Sequence, residues 1–158
     1  MYAVLRIRSP RSKSVGVEDT LEKLRINKVN HCTVVPEDNA HEGMINKVKD
    51  IITWGELDKE TLSKLIEYRS NLDGDVEKTI KEQTSYESVE DFAEGVLSGE
   101  IGFDDIEGMK NLFRLHPPRG GYESVKKPYK TGGSLGYRSQ AINELLQRML
   151  GPEYLQEE

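Results

Sequence analysis

Apolar and polar residues alternate imperfectly from Tyr2 to Arg8, with Tyr2, Val4 and Ile7 set against Ala3, Leu5 and Arg6. A period near two predicts a strand, because successive side chains of an extended chain point to opposite faces. Ser9-Pro10 ends it, and Arg11 to Gly16 reads as a polar loop. Val17, Leu21 and Leu24 then recur at helical spacing behind Glu18 and Asp19, acids that suit the positive end of a helix, and this predicts a helix over 16–25. His31 to Val35 is short, β-branched and bounded by Asn30 and Pro36, which predicts a second strand. Asn39 with Glu42 three residues on has the form of a capping box, followed by Met44, Ile45 and Val48 on one helical face. Ile51 to Trp54 reads as a third strand that Gly55 closes. The order β-α-β-α-β within so short a stretch places the chain in the α/β class (strictly α+β), with helices packed on one face of a small sheet.

The pattern changes after Gly55. Asp58 caps a helix with Leu62, Leu65 and Ile66 on its apolar face, and Asn71 to Asp75 forms a turn. Val76 and Ile80 mark a short helix. Ser88 caps another, with Val89, Phe92, Val96 and Leu97 inward and Ser98-Gly99 as its stop. Phe113 to Leu115 fits one more strand. Pro117 to Gly136 is a loop rich in Pro, Gly, Lys and Arg. Ser139 opens a last helix with Ile142, Leu145, Leu146 and Met149 inward, and Gly151-Pro152 stops it before a frayed acidic end. Three segments follow: a core over 1–57, an acidic helical extension over 58–112, and over 113–158 a basic loop and a helix that packs back on the core.

Charge sharpens this division. The 158 residues carry a net charge of −6, which by itself argues against a nucleic-acid partner. Residues 1–13, however, sum to +4 and residues 108–138 to +6, whereas residues 56–107 sum to −11. Two basic segments flank an acidic middle, and that asymmetry is more informative than the average. No apolar run is long enough for a membrane span, and no secretory leader is expected at the N-terminus. The single Cys32 excludes an internal disulfide and points to a reducing, cytosolic setting.

Catalytic chemistry finds little support. His31, His41 and His116 lie in no nucleophile motif, and His31 and Cys32, as neighbours on a strand, point to opposite faces. Cys32 then reads as a small buried thiol. No Cys/His set has zinc spacing, and no glycine loop has the form of a nucleotide-binding motif, so neither a metal nor a cofactor is expected. The glycines suit a different use. Arg114, His116, Arg119, Gly120, Gly121, Lys126, Lys127, Lys130 and Arg138 are interleaved with Tyr122, Tyr129 and Tyr137, with Glu123 as the one acid. Bases reach phosphates, rings stack on exposed nucleobases, and glycine lets the backbone approach closely. The bland alternative is that Tyr122 and Tyr129 pack on the sheet and the lysines face water. Arg6, Arg8, Arg11 and Lys13 supply a second basic segment.

Several strings resemble a known family. Asn30-His31-Cys32-Thr33-Val34-Val35 and Gly43-Met44-Ile45-Asn46-Lys47-Val48 are similar to the universal large-subunit ribosomal protein family numbered thirty in bacteria and seven in eukaryotes. Ile52-Thr53-Trp54-Gly55-Glu56-Leu57 and Arg114-Leu115-His116-Pro117-Pro118-Arg119-Gly120-Gly121 look like its longer archaeal and eukaryotic members, and the chain as a whole is similar to the archaeal form. The resemblance implies a ferredoxin-like core and a structural role in the large ribosomal subunit, binding and stabilising ribosomal RNA, with no catalysis and no cofactor. It leaves the acidic segment facing solvent or a neighbouring ribosomal protein. The rival reading is a small-ligand-binding regulatory module, since ferredoxin-like folds host many functions.

Two finer expectations concern placement. The basic segments are expected to converge on one patch; their loops leave the same end of the sheet only if the first strand and the Phe113–Leu115 strand run parallel, and otherwise long loops fold back or two separate RNA contacts remain. Arg119, held between Pro118 and Gly120-Gly121, is expected to be the strongest single RNA contact, whereas the lysines act as point charges in a flexible run. The alternative for Arg119 is an ion pair with Asp104 or Asp105.

Overall fold

The computed structural model describes residues 1–9, 15–70 and 74–151. The expected β-α-β-α-β order forms, as β1 (Tyr2–Arg6), α1 (Val15–Lys23), β2 (His31–Val35), α2 (Asn39–Lys47) and β3 (Ile52–Glu56). Four further helices follow, namely α3 (Lys59–Arg69), α4 (Val76–Gln83), α5 (Val89–Ser98) and α6 (Ala141–Arg148). Three short strands complete the chain: β4 (Phe113–Arg114), β5 (Ser124–Pro128) and β6 (Gly133–Tyr137). The sheet runs in the order β4-β2-β1-β3-β6-β5. β1 is antiparallel to both of its neighbours, with Val4 opposite Thr33 on one side and Trp54 on the other. β2 and β3 are therefore parallel to each other across β1, joined by α2 in a split β-α-β unit.

The alternation read in the sequence sorts β1 between two cores. Val4 joins Leu21, Leu24, Ile26, Ile45, Val48 and Ile52 beneath α1 and α2. Ala3, Leu5 and Ile7 face the other way, with Cys32, Val34, Leu62, Leu65, Ile66, Ile80, Phe92, Phe113, Ile142 and Leu146. The two core helices thus share one face, and α3 to α6 cover the opposite one. Residues from Ala3 to Leu150 contribute to this second core, so it runs through all three sequence segments.

Aromatic rings carry the acidic middle onto the sheet. Tyr86, Phe92, Phe103 and Phe113 form an edge-to-face series with centroids 6.0, 6.4 and 5.9 Å apart. Each such contact adds roughly 0.5–1.5 kcal/mol beyond the area buried. The helix starts are set by side-chain caps. Asp58 accepts from Thr61 N at 2.7 Å, Asp75 from Lys78 N at 3.3 Å, and Ser88 from Asp91 N at 3.1 Å. α5 ends at Gly99, which takes the left-handed conformation at φ 83°.

Some expectations need correction. Asp38 rather than Asn39 caps α2, accepting from His41 N at 2.8 Å, and Glu42 instead accepts from the Tyr2 hydroxyl. Ser139 lies before α6, at φ 52°, and does not open it. The Pro/Gly-rich stretch 117–136 is not one loop, because it contains β5, a 3-10 turn over Tyr129–Thr131 and most of β6. Residues 71–73 of the expected turn, and the chain end beyond 151, lie outside the described residues.

Gly55 does not end its strand. It sits inside β3, opposite Ala3, and a Cβ there would lie 1.9 Å from the Ser139 carbonyl oxygen and 3.0 Å from Ile142 Cγ2. The glycine is a contact point that lets the chain entering α6 close on the sheet. Gly55→Ala is expected to lower stability by about 3 kcal/mol through overpacking. Gly43→Ala, in the exposed part of α2 with nothing within 4 Å of the new methyl, is expected to raise it by roughly 0.5–1 kcal/mol. Urea unfolding of the two variants beside the parent checks both signs.

Candidate nucleic-acid interface

Strand direction decides where the bases emerge. β2 is antiparallel to β1 and also to β4, where His31 opposes Arg114. β1 and β4 therefore run the same way, separated by β2, and Arg8 and His116 leave from the same end of the sheet. β6 is parallel to β3, with Gly136 opposite Thr53, so its start at Gly133 lies towards that end too. β5 lies beside β6 with Ser124 near Gly133 and Pro128 near Leu135, which brings Lys126 and Lys127 to the same side. The segment from Arg114 to Lys130 thus connects one edge strand to the other across this end. Arg11 and Lys13 lie outside the described residues.

The electrostatics agree. His31 has its pKa held below the usual imidazole value, first by burial and then by the positive charges of Arg114, Lys28 and Arg6. Lys28 and His31 were not anticipated as part of this surface. The signal was their position immediately before and at the start of β2, which only the pairing with β1 and β4 makes meaningful. Arg114, His116, Arg119, Lys126, Lys127 and Lys130 are exposed and Arg8 is half-buried, its Nε donating to the Asp50 carbonyl at 2.9 Å.

Two of the expected contact residues have other work. Arg6 is 8% exposed, and its Nη1 donates to the Ile26 carbonyl at 3.0 Å. Arg138 is also 8% exposed, donating from Nε to Thr53 Oγ1 at 2.8 Å and from Nη2 to the Ser134 carbonyl at 2.7 Å, with its guanidinium 4.7 Å from the Tyr129 ring centre. These two arginines tie strands and turns together from inside. Lys126 and Lys127 correct another expectation, since they stand on β5 rather than in a flexible run, with Lys130 on the turn after it.

The string His116 to Gly121 is held by the end of α6. The last carbonyls of a helix lack internal partners. Here the His116 N–H donates to Met149 O at 3.0 Å and the Arg119 N–H to Arg148 O at 3.1 Å. Pro117 and Pro118 between them have no N–H to offer, so the two prolines set the spacing of the two donors. Arg148 returns a bond from Nη1 to the Arg119 carbonyl at 3.0 Å. Gly120 and Gly121, at φ 80° and 77°, then turn the chain sharply beside the exposed Arg119. Gly151 is packed beneath this clamp, where a Cβ would meet Arg69 Nη2 at 2.2 Å and His116 Cδ2 at 2.4 Å.

Asn30 gathers the remaining threads. It sits at φ 70°, a conformation that asparagine tolerates better than most residues. Its N–H donates to Arg6 O at 2.9 Å, its carbonyl accepts from Leu115 N at 3.1 Å, and its Oδ1 accepts from the Tyr122 hydroxyl at 2.6 Å. One side chain and its backbone thereby join the ends of β1 and β4 to the basic loop.

The other end of the sheet is acidic. Glu37 and Asp38 follow β2 there, Glu56 ends β3 and Asp58 follows it, with the Met1 amine 3.3 Å from Glu37 Oε2. Among the described residues, nothing in either region assembles a nucleophile. Burial pushes the Cys32 thiol up to about 12, so it carries no thiolate near neutrality. His41 Nδ1 lies 2.7 Å from Asp38 Oδ1 at an exposed helix start. Among the described residues no helix is long and apolar enough to cross a membrane.

Comparison with known proteins bears on the same surface. The family described as ribosomal protein L30p/L7e matches residues 2–52. "Large ribosomal subunit protein uL30" of Methanosphaera stadtmanae is 44% identical over 153 residues, covering 95% of this chain and 100% of the relative. The protein of the same name from Methanoculleus marisnigri is 42% identical over 152 residues, covering 94% of this chain and 99% of its own length. That of Methanococcus maripaludis is 46% identical over 154 residues, again covering 94% and 99%.

Tyr122 provides a test of how the loop is anchored. Its pKa is raised above the ordinary value near 10, chiefly by burial. The fold therefore holds the neutral phenol. Below pH about 10 both folded and unfolded chains are neutral there; above it the unfolded chain ionises first and stability falls as pH rises. Tyr122→Phe is expected to cost about 1 kcal/mol at neutral pH by leaving Asn30 Oδ1 unpaired. The variant should also show a shallower loss of stability between pH 9 and pH 11 (roughly the window set by the phenol). Urea melts of both proteins across that range measure the difference.

Proposed function

Because the chain belongs to the ribosomal protein L30p/L7e family, we propose that it is a structural constituent of the large ribosomal subunit that binds and stabilises large-subunit ribosomal RNA through the basic end of its sheet. The family is one of ribosomal structural proteins and not of enzymes, and its matched relatives are archaeal. The observation that carries the RNA reading is the shared direction of β1 and β4, which brings two sequence-distant basic segments to one end of the molecule. Arg8, Arg114, His116, Arg119, Lys126, Lys127 and Lys130 form the described part of this surface, and Arg11 and Lys13, outside the described residues, are proposed as further RNA contacts. Gly120 and Gly121 keep side-chain bulk away from an approaching backbone. Arg6 and Arg138 support it from beneath. Family membership favours this assignment over a small-ligand regulatory module. The acidic outer faces of α3 to α5 turn towards solvent or a neighbouring ribosomal protein.

Salt provides the first measurement. If about six cations contact phosphates, affinity for a large-subunit RNA fragment falls by roughly a thousandfold between 50 and 200 mM salt. A flat response overturns the assignment. Arg119 provides the second. Its backbone is clamped at both the N–H and the carbonyl, so its side chain leaves a fixed point on the surface. Arg119→Ala and Arg119→Lys should each weaken RNA binding more than Lys126→Ala, Lys127→Ala or Lys130→Ala, because lysine cannot reproduce the planar fork. If Arg119 instead serves a partner such as Asp104 or Asp105, Arg119→Ala lowers the melting temperature and leaves RNA affinity at the parent value.

A further inference from the structure

At the acidic end of the sheet the exposed Tyr137 ring stands beside Tyr2 and Trp54, which are half-buried and packed against the core under α1 and α2. Tyr2, Trp54 and Tyr137 come from β1, β3 and β6. Trp54 and Tyr137 are register partners whose ring centres are 6.0 Å apart at 46°, and Tyr137 is 46% exposed. Tyr2 opposes Glu56 across the β1–β3 pair, one register position beyond the Ala3–Gly55 pair. Three carboxylates rim these rings. Glu42 accepts from the Tyr2 hydroxyl, Glu56 Oε1 accepts from the Tyr137 hydroxyl, and Glu37 pairs with the Met1 amine. Glu37 and Glu56 both act electrostatically on Tyr2 and on Tyr137, which places all four groups in one neighbourhood.

Glu56 adds an independent sign. Its second oxygen, Oε2, is shielded from solvent and has no hydrogen-bond partner among the described residues. Buried polar atoms are ordinarily paired, so an orphaned acceptor beside the exposed Tyr137 ring calls for an external donor. A cation suits every part of this arrangement, because ring faces attract guanidinium and ammonium groups and carboxylates pair with them. Nucleic acid does not suit it, since phosphates would meet three carboxylates.

We propose that the Tyr2–Trp54–Tyr137 face, rimmed by Glu37, Glu42 and Glu56, docks an arginine-bearing segment of another protein, seating a guanidinium against the rings with its N–H groups on Glu56. Arginine is favoured over lysine because its flat, forked head both stacks and donates twice. The occupant is identified by charge complementarity. The molecule then has two faces of opposite recognition, a basic one for polyanion and an aromatic-acidic one for a cationic chain. The inference does not rest on the RNA assignment, because its readout is the emission of Trp54 on the aromatic-acidic face and not RNA affinity.

Trp54 is the only tryptophan in the chain, so its fluorescence reports from the face itself. The full chain is titrated with a capped hexa-arginine peptide, and in parallel with hexa-lysine and with a short oligouridylate. A saturable change in Trp54 emission with hexa-arginine, weaker with hexa-lysine and absent with oligouridylate, supports the proposal. Glu56→Gln and Tyr137→Ala should each weaken that response by roughly five- to tenfold. Glu94→Gln, an exposed acid on α5, serves as the control and should leave it unchanged. Circular dichroism melts establish that each variant is folded, and Tyr137→Phe, which keeps the ring, should retain most of the peptide response. A silent Trp54, an equal response in Glu56→Gln, or a response to oligouridylate overturns the proposal. Self-association in sedimentation that Glu56→Gln abolishes overturns it also, by making a second copy of this chain the occupant.

Discussion

β1 meets water on neither side. Ala3, Val4 and Leu5 are fully buried, Ala3 and Leu5 facing one core and Val4 the other. α1 and α2 suffice for one of these faces. The other would leave Leu5, Cys32 and Val34 in water, and burying an aliphatic side chain of this size is worth about 1.5–3 kcal/mol. The extension exists, in physical terms, to cover that second face. Its inward stripes are apolar because they meet the sheet, and its outward surfaces are free to be acidic because they lie outside the apolar core. The edge-to-face series from Tyr86 to Phe113 is the seam along which the two halves close.

The same closure positions the basic loop. α6 can pack on the sheet only where Gly55 gives way to Ser139, and the end of α6 then presents two carbonyls to the His116–Arg119 segment. A proline-glycine string that looks like an unstructured surface loop is thus held at three places: on α6, on Asn30 through Tyr122, and on β6 through β5. Its cations stand at fixed positions because the backbone beneath them has already found its partners. The acidic extension and the basic loop are parts of one construction, although they read as opposites in the sequence.

Most local structure was legible. β2 begins and ends where its β-branched run does, and Asp58 and Ser88 cap their helices as their position before an apolar stripe requires. The failures share a cause, which is that they depend on contacts between distant segments. Gly55 looks like punctuation because glycine usually is; its closeness to Ser139 is invisible before the chain folds. β5 and β6 are short and carry little of the alternation that marks a strand. Arg6 was countable as a base but belongs by parity to the same face as Tyr2 and Val4, and that face is buried. Charge alone therefore overstated the exposed basic surface, while Lys28 and His31, adjacent to it only through strand pairing, were passed over. Cys32 was read correctly from local pattern as a small buried thiol, since it sits wholly inside the core.

The opposed signs at the two ends of the strands have a bearing on kinetics. A five-residue strand is about 17 Å long, whereas salt at cellular strength screens charge over about 8 Å. The ends are some two screening lengths apart, so an approaching polyanion responds to the nearer end and scarcely registers the net −6 of the whole chain. Encounters at the wrong end are repelled and those at the right end are drawn in, which turns the molecule before contact. A protein of acidic isoelectric point can in this way be delivered to nucleic acid already facing it.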